Sequence, residues 1–115
     1  MAGITTHVLD TDPGQTIPGI RIDFSVRDGD TWRLVKTVTT NADGRTDQPI
    51  LPATEAKVGT YQLEFHVADY LAQRAPGAAR FVDNAVVRFS VFDEKQHYHV
   101  PLLCTPNSCT TYRGS

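Results

Sequence analysis

Apolar residues at Ile20, Ile22, Phe24 and Val26 alternate with Arg21, Asp23, Ser25 and Arg27, the period-two pattern of a strand with one buried and one solvated face. Tyr61, Leu63, Phe65 and Val67 repeat it, which puts Gln62, Glu64 and His66 on the opposite, solvated face. Strand-like runs also cover 4–10, 32–39, 85–92 and 96–103, with short candidates at 46–51 and 109–113. Turn chemistry separates the runs at Asp12-Pro13-Gly14, Asp28-Gly29-Asp30, Asn41-Ala42-Asp43-Gly44 and Asp93-Glu94-Lys95. Short strands spaced in this way predict an all-β antiparallel sandwich or barrel. One interruption breaks the rhythm: Asp69 caps a short helix from Tyr70 to Arg74, stopped by Pro76-Gly77.

The chain of 115 residues matches one domain, 1–115, able to bury a core without staples. No apolar run approaches the roughly 20 residues needed to cross a bilayer. Net charge is −2 and the basic residues are scattered, so no stripe favours nucleic acid or an anionic membrane surface. The start, Met1-Ala2-Gly3-Ile4, has neither the charged nor the apolar region of a secretory leader, and Ser115 ends no peroxisomal signal. A cytoplasmic location is the expectation. In a reducing compartment Cys104 and Cys109 are expected to be free, unreactive thiols flanking a turn with Pro106 and Asn107. A disulfide is geometrically open to them only if the flanking segments pair.

Strand phase sorts the histidines. His66 reads as a surface residue, whereas His97 and His99 share one strand face and His7 shares a face with Thr5 and Leu9. Each is read either as a hydrogen-bonded strand residue or as a chemical group. Three imidazoles, from His7, His97 and His99, could hold a catalytic zinc with one position left for water. Arg45 is either a charge on a hairpin arm or a planar donor fork for an oxygen-rich substrate. The ending Tyr112-Arg113-Gly114-Ser115 is an ordinary polar terminus or a tail held in a site. No nucleophile elbow, phosphate loop or dinucleotide fingerprint is present.

Taken in order, Thr6-His7-Val8-Leu9-Asp10, Asp43-Gly44-Arg45, His97-Tyr98-His99-Val100-Pro101-Leu102-Leu103 and Tyr112-Arg113-Gly114-Ser115 resemble the 5-hydroxyisourate hydrolases, transthyretin-related enzymes of urate breakdown. The resemblance implies a transthyretin-like two-sheet sandwich of about eight strands with one short helix. It implies a homotetramer, a dimer of dimers, with active sites between subunits in a central channel. The implied substrate is 5-hydroxyisourate, opened by water to 2-oxo-4-hydroxy-4-carboxy-5-ureidoimidazoline, with no cofactor. By the same resemblance His7, Arg45, His99 and Ser115 are catalytic, while Arg45, Tyr112, Arg113 and His97 bind substrate. The stretch Cys104-Thr105-Pro106-Asn107-Ser108-Cys109 departs from the family pattern, so the turn before the last strand is expected to differ. A transthyretin-like carrier of hormone or another small ligand is the alternative within this fold. The carrier has lysine where His7 stands and lacks the Tyr-Arg-Gly-Ser ending. A bare immunoglobulin-like interaction module would require none of the four motifs.

Overall fold

The computed structural model describes residues 2–11, 14–74 and 81–114. Among these the chain forms β1 (Ala2–Asp10), β2 (Gln15–Thr16), β3 (Arg21–Asp28), β4 (Thr31–Thr39) and β5 (Leu51–Pro52). A single 3-10 turn (Ala53–Glu55) leads to β6 (Gly59–Phe65), α1 (Ala68–Arg74), β7 (Ala85–Val91), β8 (Tyr98–Thr105) and β9 (Ser108–Thr111). One sheet runs β2-β1-β8-β9 with β5 also pairing β1, and the other runs β4-β3-β6-β7. No helix among the described residues is long and apolar enough to cross a membrane.

The alternating faces decide how the sheets stack. Ile22 and Phe24 of β3, with Tyr61, Leu63 and Phe65 of β6, are buried against Ile4, Val8, Val100 and Leu102 of the other sheet. Phe24 and Tyr61 stack with ring centroids 5.4 Å apart, an arrangement that adds to the stabilisation from burying two large aromatic surfaces. With the even-numbered positions of β1 committed to this core, Thr5, His7 and Leu9 must face outward.

Several expectations are corrected. The sandwich is not wholly antiparallel: β1 and β8 run parallel, with Thr5 opposite His99 and His7 opposite Pro101. That is possible because the whole second sheet lies in the connection between them, and a parallel pair needs such a long crossover. Of the short candidate at 46–51 only Leu51 is strand, as the first residue of β5, and β2 arises where Gln15 and Thr16 pair with the end of β1. The helix begins at Ala68, and its first amide is capped from afar by Asn84, whose Oδ1 accepts from the Ala68 N–H at 3.2 Å. Asp69 lies inside the first turn, where its charge still suits the helix dipole. The proposed stops at Asp12-Pro13 and Pro76-Gly77 lie outside the described residues.

Cys104 and Cys109 form a disulfide rather than two free thiols. The cause is the pairing of β8 with β9, which sets the two cysteines directly opposite with their Cα atoms 4.2 Å apart. His66 is also less solvated than its strand phase suggests. Its Nε2 lies 2.9 Å from Asp23 Oδ2 and its Nδ1 lies 3.3 Å from Asn84 Nδ2, because β3 and β6 are neighbours and Asn84 reaches the same ring.

The helix is tied to the end of β1 by charge. Asp10 is fully buried and accepts from the Tyr70 hydroxyl at 2.7 Å and from Arg74 Nε at 2.6 Å. Asp10→Ala strips both donors of this acceptor in a water-poor setting, and the unfolding free energy is expected to drop by about 3 kcal/mol. Denaturant titration checks it; an unchanged midpoint would mean that Leu71, buried beneath the helix, holds α1 without the ion pair.

Candidate active site

The outward face of the first sheet collects the chemistry. Parallel pairing brings Thr5 beside His99, and the Thr5 Oγ1 lies 2.9 Å from His99 Nδ1 and 3.3 Å from His97 Nε2. The two imidazoles stack nearly parallel, 10° between planes and 6.3 Å between centroids. His7 follows two positions along the same face of β1 as Thr5.

Arg45 is not on a hairpin arm. Residues 40–50 cross from the second sheet to the first, and Asn41 organises the crossing. Its Oδ1 accepts from the backbone N–H of Asp43 at 2.9 Å and of Arg45 at 3.2 Å, while its own N–H donates to the Arg45 carbonyl at 2.7 Å. Its Nδ2 donates to Asp47 Oδ1 at 3.0 Å. The Val8 N–H donates to the Gly44 carbonyl at 2.8 Å, which locks the loop to β1. Gly44 has φ +72°, and a Cβ there would fall 2.5 Å from the Val8 carbonyl oxygen and 3.4 Å from His7 Cδ2. Only glycine permits that approach.

Loop and sheet enclose a cleft of about 410 Å³, lined by Thr5, Arg45, Asp47, Gln48, His97 and His99 among others. His7 does not line it but lies close enough for the Arg45 charge to act on it. Burial first, and then the Arg45 guanidinium, hold the His7 imidazole below the ordinary histidine pKa of about 6.5, against the opposing pull of the Asp43 backbone and carboxylate. His99 is lowered by burial, then by Arg45, His97 and His7. Both rings therefore favour the neutral form near neutral pH, in which one nitrogen accepts a proton and the other donates one.

The C-terminal tail folds back over this face. The Gly114 N–H donates to the His99 carbonyl at 2.7 Å, and a Cβ at Gly114 would sit 2.6 Å from His99 Cδ2. Backbone thus lies directly against the imidazole. Arg113 turns another way: its Nη2 donates to Gln96 Oε1 at 2.8 Å and to the His97 carbonyl at 2.9 Å, and its guanidinium lies over the Tyr98 and Phe92 rings at 4.5 and 5.3 Å. Tyr112 and Arg113 line a separate apolar groove with Val87, Phe89 and Phe92, so within one protomer they are not brought to the histidine cleft. Ser115 lies outside the described residues.

Among the described residues, the one trio of metal-binding type whose ligand atoms all lie within 4.8 Å of one another is Asp23, Glu64 and His66. His7, His97 and His99 do not gather into such a set. In the trio, Asp23 already accepts from His66, Arg21 and Thr37, an ion-paired patch on the outer face of the second sheet. Three site residues escaped the reading of the sequence. Thr5 and Gly44 acquire their roles only from strand register and loop docking, and the Asn41 side chain acts on backbone that a turn motif does not identify.

A model described as the HIUase/Transthyretin family matches residues 4–114. The chain belongs to this family. Among members, it is 48% identical over 114 residues to a 5-hydroxyisourate hydrolase of Deinococcus radiodurans, covering 98% of this chain and 96% of the relative. A second 5-hydroxyisourate hydrolase, from Rhizobium meliloti, is 44% identical over 97% of this chain and 95% of its own. In solved structures, a 5-hydroxyisourate hydrolase of Klebsiella pneumoniae superposes with a TM-score of 0.80 at 28% identity, with all of both chains covered. An (S)-allantoin synthase superposes at 0.87 and 36% identity over 98% of this chain, which spans 43% of the length of that one. Transthyretin from Sparus aurata matches at 0.86 and 25% identity, over 99% and 97% of the two chains. As a member of the HIUase/Transthyretin family the chain therefore shares its sandwich with both hydrolases and transthyretins.

Proposed function

We infer that this protein is a 5-hydroxyisourate hydrolase, an enzyme that opens the ring of its substrate by hydrolysing a cyclic acyl C–N bond. The observation that carries this reading is the meeting of His99, Arg45 and His97 in one cleft with His7 beside it, in a chain 48% identical to a hydrolase of that name across nearly its full length. Transthyretin of sea bream has been solved with thyroxine in the same fold, so the fold leaves carrier and enzyme equal. A charged cleft with two imidazoles biased to the neutral form suits proton transfer better than storage of an apolar ligand.

Water must lose a proton as it attacks the carbonyl carbon, the oxygen must bear negative charge, and the departing ring nitrogen must gain a proton. His7, with one ring nitrogen donating to the Asp43 backbone, keeps the other as the acceptor that activates water, and Ser115 orients it. Arg45 grips the substrate's oxygens and stabilises the oxyanion. His99 returns the proton to the leaving nitrogen, and His97, Tyr112 and Arg113 complete the substrate pocket. No cofactor takes part. The enzyme works in the cytoplasm as a single domain in a homotetramer, a dimer of dimers, in which Tyr112 and Arg113 serve sites built between subunits. The exposed Phe92 and Tyr112 beside edge strands β7 and β9 support an association that covers those edges.

The test is direct. Generated in situ from urate, 5-hydroxyisourate should lose its ultraviolet absorbance faster when the protein is added, with or without a chelator. No acceleration removes the assignment, and acceleration abolished by the chelator restores a metal role. Light scattering at micromolar concentration should give the mass of four 12.7 kDa chains. Because Arg45 depresses both histidines, Arg45→Gln raises their pKa values and a larger fraction is protonated at a given pH. The acid limb of kcat/KM is thus expected to move to higher pH, with a rate about 100-fold lower. Arg45→Lys keeps the charge, and so the limb, but loses the fork and most of the rate. An acid limb unmoved in Arg45→Gln would show that Arg45 does not act on these imidazoles.

A further inference from the structure

We propose that Thr5 is a positioning residue that carries protons between His99 and His97 through its hydroxyl, making His97 the proton store for the ring that meets the substrate. The inference rests on the hydrolase reading above. Its geometric basis is the placement of one oxygen, Thr5 Oγ1, 2.9 Å from His99 Nδ1 and 3.3 Å from His97 Nε2, between two rings stacked in parallel planes. That placement is not accidental to side-chain freedom. Thr5 and His99 are register partners across β1 and β8, and threonine is β-branched, so its hydroxyl has few alternative directions.

A hydroxyl owns one proton and can accept others. When Thr5 accepts from His99 Nδ1–H it is free to donate to His97 Nε2, and neutral His99 then carries its lone pair on Nε2. When Thr5 instead donates to His99 Nδ1, the proton of neutral His99 resides on Nε2 and His97 Nε2 supplies the N–H that Thr5 accepts. The second arrangement follows from the first once His99 Nε2 gains a proton from the site and the ring becomes imidazolium, which the relay then discharges through Nδ1. The N–H bond at His99 Nδ1 breaks as an O–H bond forms at Thr5, and the original Thr5 O–H breaks as an N–H bond forms at His97 Nε2. His99 is left neutral with its proton on Nε2, and His97, now protonated on both ring nitrogens, holds the proton passed on. The relay lets His99 shed the Nδ1 proton whenever its Nε2 gains one, and it recharges His99 after the Nε2 proton has gone to the leaving nitrogen.

The surroundings favour such an exchange. Burial first, then Arg45 from the crossing loop, His97 and His7 all act against a standing charge on His99, so a proton placed there is readily moved on. Asp47 of the same loop lines the cleft, and Arg113 from the tail donates to the His97 carbonyl. Gly114 backbone covers His99 and limits the ring's freedom to turn away from Thr5.

Thr5→Val keeps the branched shape and removes the hydroxyl, while Thr5→Ser keeps the hydroxyl. The expected result is a kcat lowered by about tenfold in Thr5→Val with KM within about twofold, and near-normal turnover in Thr5→Ser. The kcat–pH profile of Thr5→Val should lose the linked titration of the pair. Ring nitrogen-15 NMR gives a readout independent of turnover: the His99 tautomer population and its titration midpoint should shift in Thr5→Val and stay in Thr5→Ser. Thr5→Ala serves in place of Thr5→Val if the valine variant does not fold. Ring shifts and midpoints identical to the parent in the hydroxyl-free variant would overturn the relay, as would Thr5→Ser impaired as severely as Thr5→Val. An inactive parent protein would instead overturn the hydrolase reading, while the NMR comparison still decides whether Thr5 couples the two imidazoles.

Discussion

His7→Asn or His99→Asn should lower kcat/KM for 5-hydroxyisourate by about 100-fold or more each, the scale expected when a general acid or base is lost. Asparagine retains a planar polar group of similar reach, so hydrogen bonds such as that from His7 to the Asp43 backbone can partly survive while proton transfer cannot. Neither ring belongs to the buried core, and folding should change little, which circular dichroism and the elution volume will verify. The double variant should be barely worse than the worse single one if both rings serve one proton circuit. Near-normal initial rates in both single variants would remove the histidines from the chemistry and leave the cleft a binding site.

Gly44→Ala is expected to destabilise the fold and damage catalysis as well. At φ +72° an added Cβ meets the Val8 carbonyl oxygen at 2.5 Å, and that oxygen also accepts from the Ile17 N–H at 3.0 Å. Backbone on both sides must move, so the cost combines an unfavourable dihedral with a broken loop-to-strand contact, about 3 kcal/mol in all. Arg45 rides on the same loop, and kcat/KM should drop by about tenfold even at temperatures where the variant stays folded, as small misplacements of a charged donor are costly. Gly19→Ala is the control: its φ is +75° but nothing lies within 4 Å of the added atom, and only the dihedral cost of about 1 kcal/mol should appear. Thermal unfolding that ranks the two variants equally would disprove the role given to the Val8 contact.

The strands of the second sheet could be read from sequence because their alternation is strict, as at Ile22 to Val26 and Tyr61 to Phe65. The partnership of β1 with β8 could not, since nothing local to either strand specifies a neighbour more than 90 residues distant or its direction. His7, Arg45 and His99 were visible through a family pattern. The hydroxyl between His97 and His99 was not, because a threonine in a strand is ordinary until register gives it two imidazoles. Cys104 and Cys109 were misjudged for a related reason: compartment favoured free thiols, whereas the β8–β9 pairing placed the sulfurs opposite each other. Asn41 shows a third limit, for its side chain organises backbone on which Arg45 depends, and turn chemistry announces a bend without saying what the bend delivers.

The parallel pairing of β1 with β8 also orders events during synthesis. Thr5 and His7 leave the ribosome about 90 residues ahead of His97, His99 and Gly114. Until β8 arrives, β1 has its β8-facing edge open, held only by the short β2 and β5 on its other side, and an open edge is prone to wrong partners. The cleft comes into being only when β1 and β8 meet. A nascent or prematurely ended chain that lacks β8 therefore holds Thr5 and Arg45 without His97 and His99, an incomplete cleft.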